Sequence, residues 1–570
     1  MLRTEVGRQY TNIQLARRVP LLVPLSRRHA VPAMRPPRLL RYALAVVIVL
    51  LTFYSLLTRL KERSTPRHFS FKENGESKLA LARITSKEER AAAVINEFRF
   101  AWHGYSSHCF GHDEIRPVSG RCSNSRNGWG ASVIDALSTA LVMRQRDIVL
   151  DILSHVPNIN FHRNGGWPKQ VSVFETTIRY LAGLLSAYDL LKSGLKDELG
   201  IDQTQVDVLL TQAKVIGDTL MVAFNTPSGL PLNMIWIDFI RHAFGKETTV
   251  ASAGTLLLEF KRLSDLTNDA RYSNAAKHAE EYILHSKLAD GLEAPYAGLL
   301  PTWMSVETGE FTDYWGSWGA GRDSAYEYFL KAFVYDRHDF DANGDAWKAA
   351  ADATIAHAAA YHASEPREAF LMDWGAKRML QQGDYLSAFA AGNFLLGGSV
   401  YNDSRYINFG IDLVNGIHTL QTATKTGIGP EKHSWDPAEA TEAQQEFYKQ
   451  HKWFIRDSRY QVRPEVLEAY YYAYRITGDS KYQDWAWELF VNVVKACKTR
   501  WGFSSIDDVD AEEPKMLDFQ ESFVFSEVMK YAYLIFAEDE DKWHVQKDGK
   551  NGFVFNTEGH PVMLRAKMSQ

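Results

Sequence analysis

The stretch from Leu467 to Arg475, LEAYYYAYR, decides the fold. Its apolar and aromatic residues recur three and four apart, the spacing that lines one face of an α-helix. The same spacing recurs in Ala351–Ala360 (ADATIAHAAA) and across Phe523–Phe536. Strand-like alternation is scarce. Turns bearing Gly or Pro punctuate the pattern, as in Thr226-Pro227-Ser228-Gly229 and Thr477-Gly478-Asp479. No charge run or low-complexity stretch divides residues 91–570. The spacing therefore predicts one large all-α domain of paired helices over that range.

Composition narrows the class. The chain has 570 residues, 45% of them hydrophobic, which excludes a disordered or collagen-like chain. Three Cys are too few for a disulfide-built scaffold. The formal charge of −5 is unevenly spread. Residues 1–41 hold nine Arg and one Glu, a basic tail on an acidic body. An acidic body suits cations and neutral polyols, and argues against a nucleic-acid partner.

Tyr42–Thr58 (YALAVVIVLLTFYSLLT) carries no charge and has the minimum length for a membrane-spanning helix. It lies far from residue 1 and lacks a small-residue cleavage site, so it reads as an uncleaved signal anchor. A buried core helix is the alternative, disfavoured by basic and Pro-rich flanks. The basic tail places the N-terminus in the cytosol. This predicts a single-pass type II protein of the endoplasmic reticulum or Golgi membrane, its large body luminal. Residues 59–90 read as a polar stem, and Asn402-Asp403-Ser404 is a glycosylation sequon.

Acidic residues recur beside aromatic, apolar or Arg neighbours. They stand in Phe174-Glu175-Thr176-Thr177, Leu258-Glu259-Phe260, Arg322-Asp323-Ser324, Arg463-Pro464-Glu465 and Glu521-Ser522-Phe523. Pro464 suits a first helical turn, where acids also suit the dipole. Asp323 shares a helix face with Glu327, and Glu465 with Glu468. Any one of these taken alone reads as a solvated acid, a cap or a salt-bridge partner. Gathered and buried, they demand protons, a cation or a polyhydroxy ligand.

These residues resemble glycoside hydrolase family 47, the class I α-1,2-mannosidases, in a filamentous-fungal form. Asn127-Gly128-Trp129-Gly130 with Val133-Ile134-Asp135-Ala136-Leu137 looks like the opening motif. Phe174 to Tyr188 (FETTIRYLAGLLSAY) is close to the family signature. Gly429-Pro430-Glu431, the acid motifs above and Phe555-Asn556-Thr557-Glu558-Gly559-His560-Pro561 follow in the family's order.

The resemblance implies an (αα)7 barrel with a monomeric catalytic domain, acting on high-mannose N-glycans with Ca2+ as cofactor. Thr557 would hold the calcium. Glu259, Glu468, Glu527 and Glu558 would hold its waters, as an oxygen-loving cation prefers. Glu175 would be the general acid. Glu465 is the candidate base and Asp323 a second catalytic carboxylate, the choice between these two staying open. Phe523 would stack on the terminal sugar. Arg179, Arg463, Asp135, Glu327, Glu431 and Glu521 complete the expected substrate contacts. Crowding should raise at least one carboxyl pKa. A mannose-recognising quality-control factor with little or no hydrolysis is the alternative function.

The sequence also departs from the family. The usual disulfide positions read Ala388 and Ile417. Cys109 and Cys122 form either a local bridge or two free thiols. An Arg that restricts trimming in some members is Gly321 here, with Arg322 adjacent. An Asp-His pair reads Asp384-Tyr385. Ser138 replaces a common Asp, and Gly559 a common Ala. Trp315 and Trp318 flank the Asp323 motif and suit either sugar stacking or core packing.

Overall fold

In the computed structural model the described residues are 81–565, apart from 166–169, 238–241, 244, 293–295, 363, 365, 376 and 377. They belong to one unit, Gly75–Gln570. The basic tail and Tyr42–Thr58 lie outside the described residues. Among the described residues no helix is long and apolar enough to cross a membrane.

Helix α1 (Lys87–Cys109) starts on Ser86, whose hydroxyl accepts from Glu89 N at 3.2 Å. There follow α2 (Ala131–Val142), α3 (Arg146–His155), α4 (Ala182–Leu190), α5 (Gln203–Leu220), α6 (Leu257–Thr267) and α7 (Ala270–Leu284). The second half adds α8 (Asp323–Tyr335), α9 (Asp341–Ala353), α10 (Phe389–Tyr401), α11 (Ser404–Thr422), α12 (Glu465–Thr477), α13 (Lys481–Cys497) and α14 (Met529–Leu534).

The helices pair as their patterns require. α2 packs on α3, α4 on α5, α6 on α7, α8 on α9, α10 on α11 and α12 on α13, while α14 packs on α1. One member of each pair also meets the next pair: α2 with α4, then α6, α8, α10, α12 and α14 in turn. The turn Val524–Val528 before α14 packs back on α2, so the succession returns to its start. Every residue of α2 is buried, and so is Phe389–Ser399 of α10. A helix apolar all round must be enclosed. By contrast α5 buries one stripe, through Val206, Leu209, Ala213, Ile216 and Leu220, and turns its polar face outward. Gly397 lets α9 approach α10, because a Cβ there would collide with the Trp347 ring.

The all-α expectation needs one correction. Short antiparallel strands of two to four residues join the helices. β1 (Glu247–Thr249) pairs with β2 (Trp303–Ser305), and β3 (Trp315–Gly316) with β4 (Asp373–Gly375). β5 (Phe553–Phe555) pairs with β6 (Pro561–Met563). Segments this short show no readable alternation. The β5–β6 hairpin packs on α4 and α8 and carries Thr557 in its turn. Cys109 and Cys122 are bonded, with Cα atoms 5.2 Å apart, and Cys497 is a buried thiol.

Candidate active site

A cavity of about 440 Å³ opens at the N-terminal ends of these enclosed helical segments. Its wall holds the carboxylates of Glu175, Asp323, Glu327, Glu465, Glu468, Glu521, Glu527 and Glu558 against the cations Arg126, Arg179 and Arg463. Phe523 and Thr557 share the same wall. Local sequence places the acids. Asp323 opens α8, and Glu465 opens α12 directly after Pro464. Glu175 sits in the short helix Val173–Glu175, where Ser172 Oγ accepts from its backbone N–H at 3.3 Å. Helix N-termini favour anions, which offsets part of the burial cost.

Neighbours then divide the acids electrostatically. Burial alone would raise Glu175. Arg179, donating from Nε at 2.7 Å, and Arg126, at 3.4 Å, outweigh it and hold the carboxyl below the ordinary range. Burial pushes Asp323 up to about 7, helped by Asp384 and Glu327 and opposed by Ser324 N–H at 2.8 Å. Burial pushes Glu465 up to about 8 against the pull of Arg463, and its Oε2 has no hydrogen-bond partner. Burial first, and like-charged neighbours second, thus raise Asp323 and Glu465 but not Glu175.

Three expected site residues stand outside the cavity wall. Asp135, expected to contact sugar, lies behind Arg179 at 3.6 Å and beside His560 at 3.4 Å. Glu431, also expected to contact sugar, accepts from Arg463 Nε with both oxygens, at 2.9 and 2.7 Å, and from Gln461 N at 3.1 Å. Both orient groups that do face the cavity, because an Arg lies between each carboxylate and the open space. Glu259 is fully buried and accepts from Tyr328 Oη at 2.7 Å and Asn556 Nδ2 at 3.0 Å. Within the wall, Glu327 bonds Lys331, and Arg179 bonds Glu558. Glu521 accepts from Arg126 Nη2 at 3.2 Å. The Phe523 ring lies 5.8 Å from the Arg179 guanidinium carbon, a cation–π distance.

The surroundings of Thr557 fit a hard cation. Burial pushes Glu259 up to about 7 and Glu468 up to about 8. It pushes Glu527 and Glu558 well above the ordinary range. Glu259 Oε2 is buried without a partner. Oxygen donors in excess of positive charge are the setting a divalent cation relieves. Among the described residues no group of three or more His, Cys, Asp or Glu is arranged as direct ligands.

Reading the sequence missed Arg126, Gln461, Thr249 and Ser252, which also line the cavity. It missed Asp113 as well. This buried carboxylate accepts from the backbone N–H groups of Arg126, Gly128, Trp129, Gly130 and Ala131 and from Tyr180 Oη. It thereby fixes the loop that presents Arg126. The available signal was position, since Arg126 directly precedes Asn127-Gly128-Trp129-Gly130.

Residues 97–564 match the family model for glycosyl hydrolase family 47. The chain belongs to this family. A probable mannosyl-oligosaccharide α-1,2-mannosidase 1B of Aspergillus clavatus is 46% identical over 480 residues, which cover 83% of this chain and 93% of that one. The mannosyl-oligosaccharide α-1,2-mannosidase of Coccidioides posadasii is 44% identical, covering 86% of this chain and 93% of its own. The solved α-1,2-mannosidase from Trichoderma reesei superposes with a TM-score of 0.81 at 41% identity. That match covers 85% of this chain and 100% of the solved one.

The departures of this family 47 chain now have physical content. Ala388 and Ile417 line one small cavity of about 40 Å³, together with Tyr385 and His433, so apolar packing fills only part of the space between them. Arg322 donates to Ala320 O at 2.8 Å and Ser317 Oγ at 2.7 Å, and Gly321, not Arg322, lines the large cavity. Ser138 Oγ accepts from buried Lys530 Nζ at 2.7 Å, and Gly559 O accepts from the same amine. Burial lowers Lys530 to about 7, which reduces the need for the missing carboxylate.

Proposed function

We propose that this family 47 chain is an inverting, calcium-dependent α-1,2-mannosidase that trims high-mannose N-glycans. One observation carries the reading: Glu175, Asp323 and Glu465 face a single cavity with Phe523 and Thr557. The relatives that match most of the chain bear the name of that activity.

An inverting glycosidase needs a proton donor at the leaving oxygen and a carboxylate that activates water on the opposite face. Glu175 is the acid. Its protonated form passes the proton through a bound water to the leaving oxygen and is left as the carboxylate that Arg179 and Arg126 stabilise. Glu465 serves as base in its ionised form, which the neighbouring Arg463 favours. Asp323 is the second catalytic carboxylate. Thr557 would hold calcium through its carbonyl and hydroxyl, with Glu259, Glu468, Glu527 and Glu558 orienting the remaining waters. Calcium held there would supply a Lewis-acidic charge able to bind and orient hydroxyl oxygens of a sugar.

The returning succession of helix pairs supports an (αα)7 barrel, with the β5–β6 hairpin closing one end. The Cys109–Cys122 bond and the exposed Asn402 support a luminal body. The basic tail supports type II insertion in the endoplasmic reticulum or Golgi membrane.

The test is incubation of the luminal domain with a high-mannose glycan, with and without a calcium chelator, and resolution of the products. Calcium-dependent release of mannose is expected. Binding without release would instead favour the recognition factor.

A further inference from the structure

Among the described residues, Trp303 and Trp315 are the exposed tryptophans, at 40% and 49% exposure. Trp318, the other tryptophan flanking the Asp323 motif, is fully buried and stacked on Tyr326. Leaving two indoles in water forgoes substantial apolar burial, and both stand at one place.

Strand geometry ties that place to the cavity. Trp303 on β2 is the direct antiparallel partner of Thr249 on β1, and Thr249 lines the cavity. Directly opposed residues of an antiparallel pair project to the same face, so Trp303 stands over the wall that Thr249 forms. Thr302 precedes it. Its hydroxyl donates to Trp315 O at 2.7 Å, and its methyl carbon is the nearest atom to a Cβ placed on the wall residue Gly321. Trp315 therefore adjoins the same rim. Its indole lies against Gly375 on β4, where any Cβ would collide with the ring. The ring thus packs on that backbone while about half of the residue stays exposed.

We propose that Trp303 and Trp315 form an aromatic platform at the rim of the acidic cavity, which takes sugar residues of the glycan beyond the mannose being cleaved. The C–H face of a pyranose is apolar and packs on an indole by dispersion and area burial. The acidic interior selects the terminal sugar through its hydroxyls. The two indoles hold the remainder of a neutral oligosaccharide through apolar ring surface. This inference rests on the mannosidase reading, and its test separates the two.

Trp303→Ala, Trp315→Ala and the double variant are compared with wild type on a high-mannose oligosaccharide and on α-1,2-mannobiose, which reaches only the cavity. Each tryptophan should account for a roughly 2–10-fold loss of kcat/KM on the oligosaccharide beyond any loss on the disaccharide, mainly through KM. Trp→Phe at either position should restore most of it. Equal losses on both substrates, or none on either, would overturn the platform. The same comparison is repeated as calorimetric affinities in a Glu465→Gln background. If wild type cleaves neither substrate, the mannosidase reading fails. The affinities still decide the platform, which stands if the tryptophan variants weaken oligosaccharide binding selectively and falls if they do not.

Discussion

Arg179 Nε donates to Glu175 Oε2 at 2.7 Å across one helical turn, while its Nη1 bonds Glu558, 379 residues away. One guanidinium thus joins the proposed acid to the turn that carries Thr557. The carboxylate that the chemistry needs and the oxygen cluster suited to a cation are held by the same side chain. Displacing Arg179 would disturb both.

Glu175→Gln cannot deliver a proton, and Glu465→Gln cannot accept one. Each should lower kcat by about 10²–10⁴-fold. Substrate affinity should change much less, because Phe523 and Arg463 remain in the wall. Steady-state kinetics on folded variants check the loss. Proton NMR of the first-formed product should show β-mannose, the inverted anomer.

Calcium removal should abolish hydrolysis and lower Tm. A ligand present at 100 times its Kd stabilises the native state by about 2.7 kcal/mol. Thermal melts with a chelator, then with calcium restored, measure this. Thr557→Val, which loses the hydroxyl, should need more calcium for the same Tm. Zinc should restore little, since no soft ligands are gathered there.

Glu280 offers a stability test outside the cavity. Its Oε1 accepts from Asn343 Nδ2 at 2.7 Å, its Oε2 has no partner, and burial pushes it up to about 8. The folded state therefore binds this proton more tightly than the unfolded chain. The associated stability is present at pH 4 and is lost as pH rises toward 8. Glu280→Gln removes that loss. Its Tm relative to wild type should climb between pH 5 and 8, with a gain on the order of 1–3 kcal/mol at pH 8.

The Cys109–Cys122 bond spans a sequence separation of 13 residues. Replacing both Cys by Ser should cost about 2–3 kcal/mol on the loop-entropy view. The bonded loop carries Asp113, which clamps the backbone of Arg126. Reductant should lower the Tm of wild type and leave the double Ser variant unmoved.

Much of this protein was determined by sequence alone. The three-and-four spacing in LEAYYYAYR and its counterparts set the helices, because burial of one face needs only local periodicity. The ordered acid motifs also identified the family, which the match over residues 97–564 bears out. What periodicity omits is the identity of whatever lies opposite a face. Only the tertiary structure set Glu175, Asp323 and Glu465 into one cavity and left Asp135 and Glu431 behind Arg179 and Arg463. Only it chose the Cys109–Cys122 bridge over two free thiols, brought Arg126 beside Glu175, and exposed Trp315 while burying Trp318. A carboxyl's pKa answers to burial and to charges within a few ångströms. Here burial by distant segments is the largest influence. Near neighbours such as Arg179 and Arg463 act together with distant groups such as Arg126 and Asp384, so the state of each acid is decided by packing.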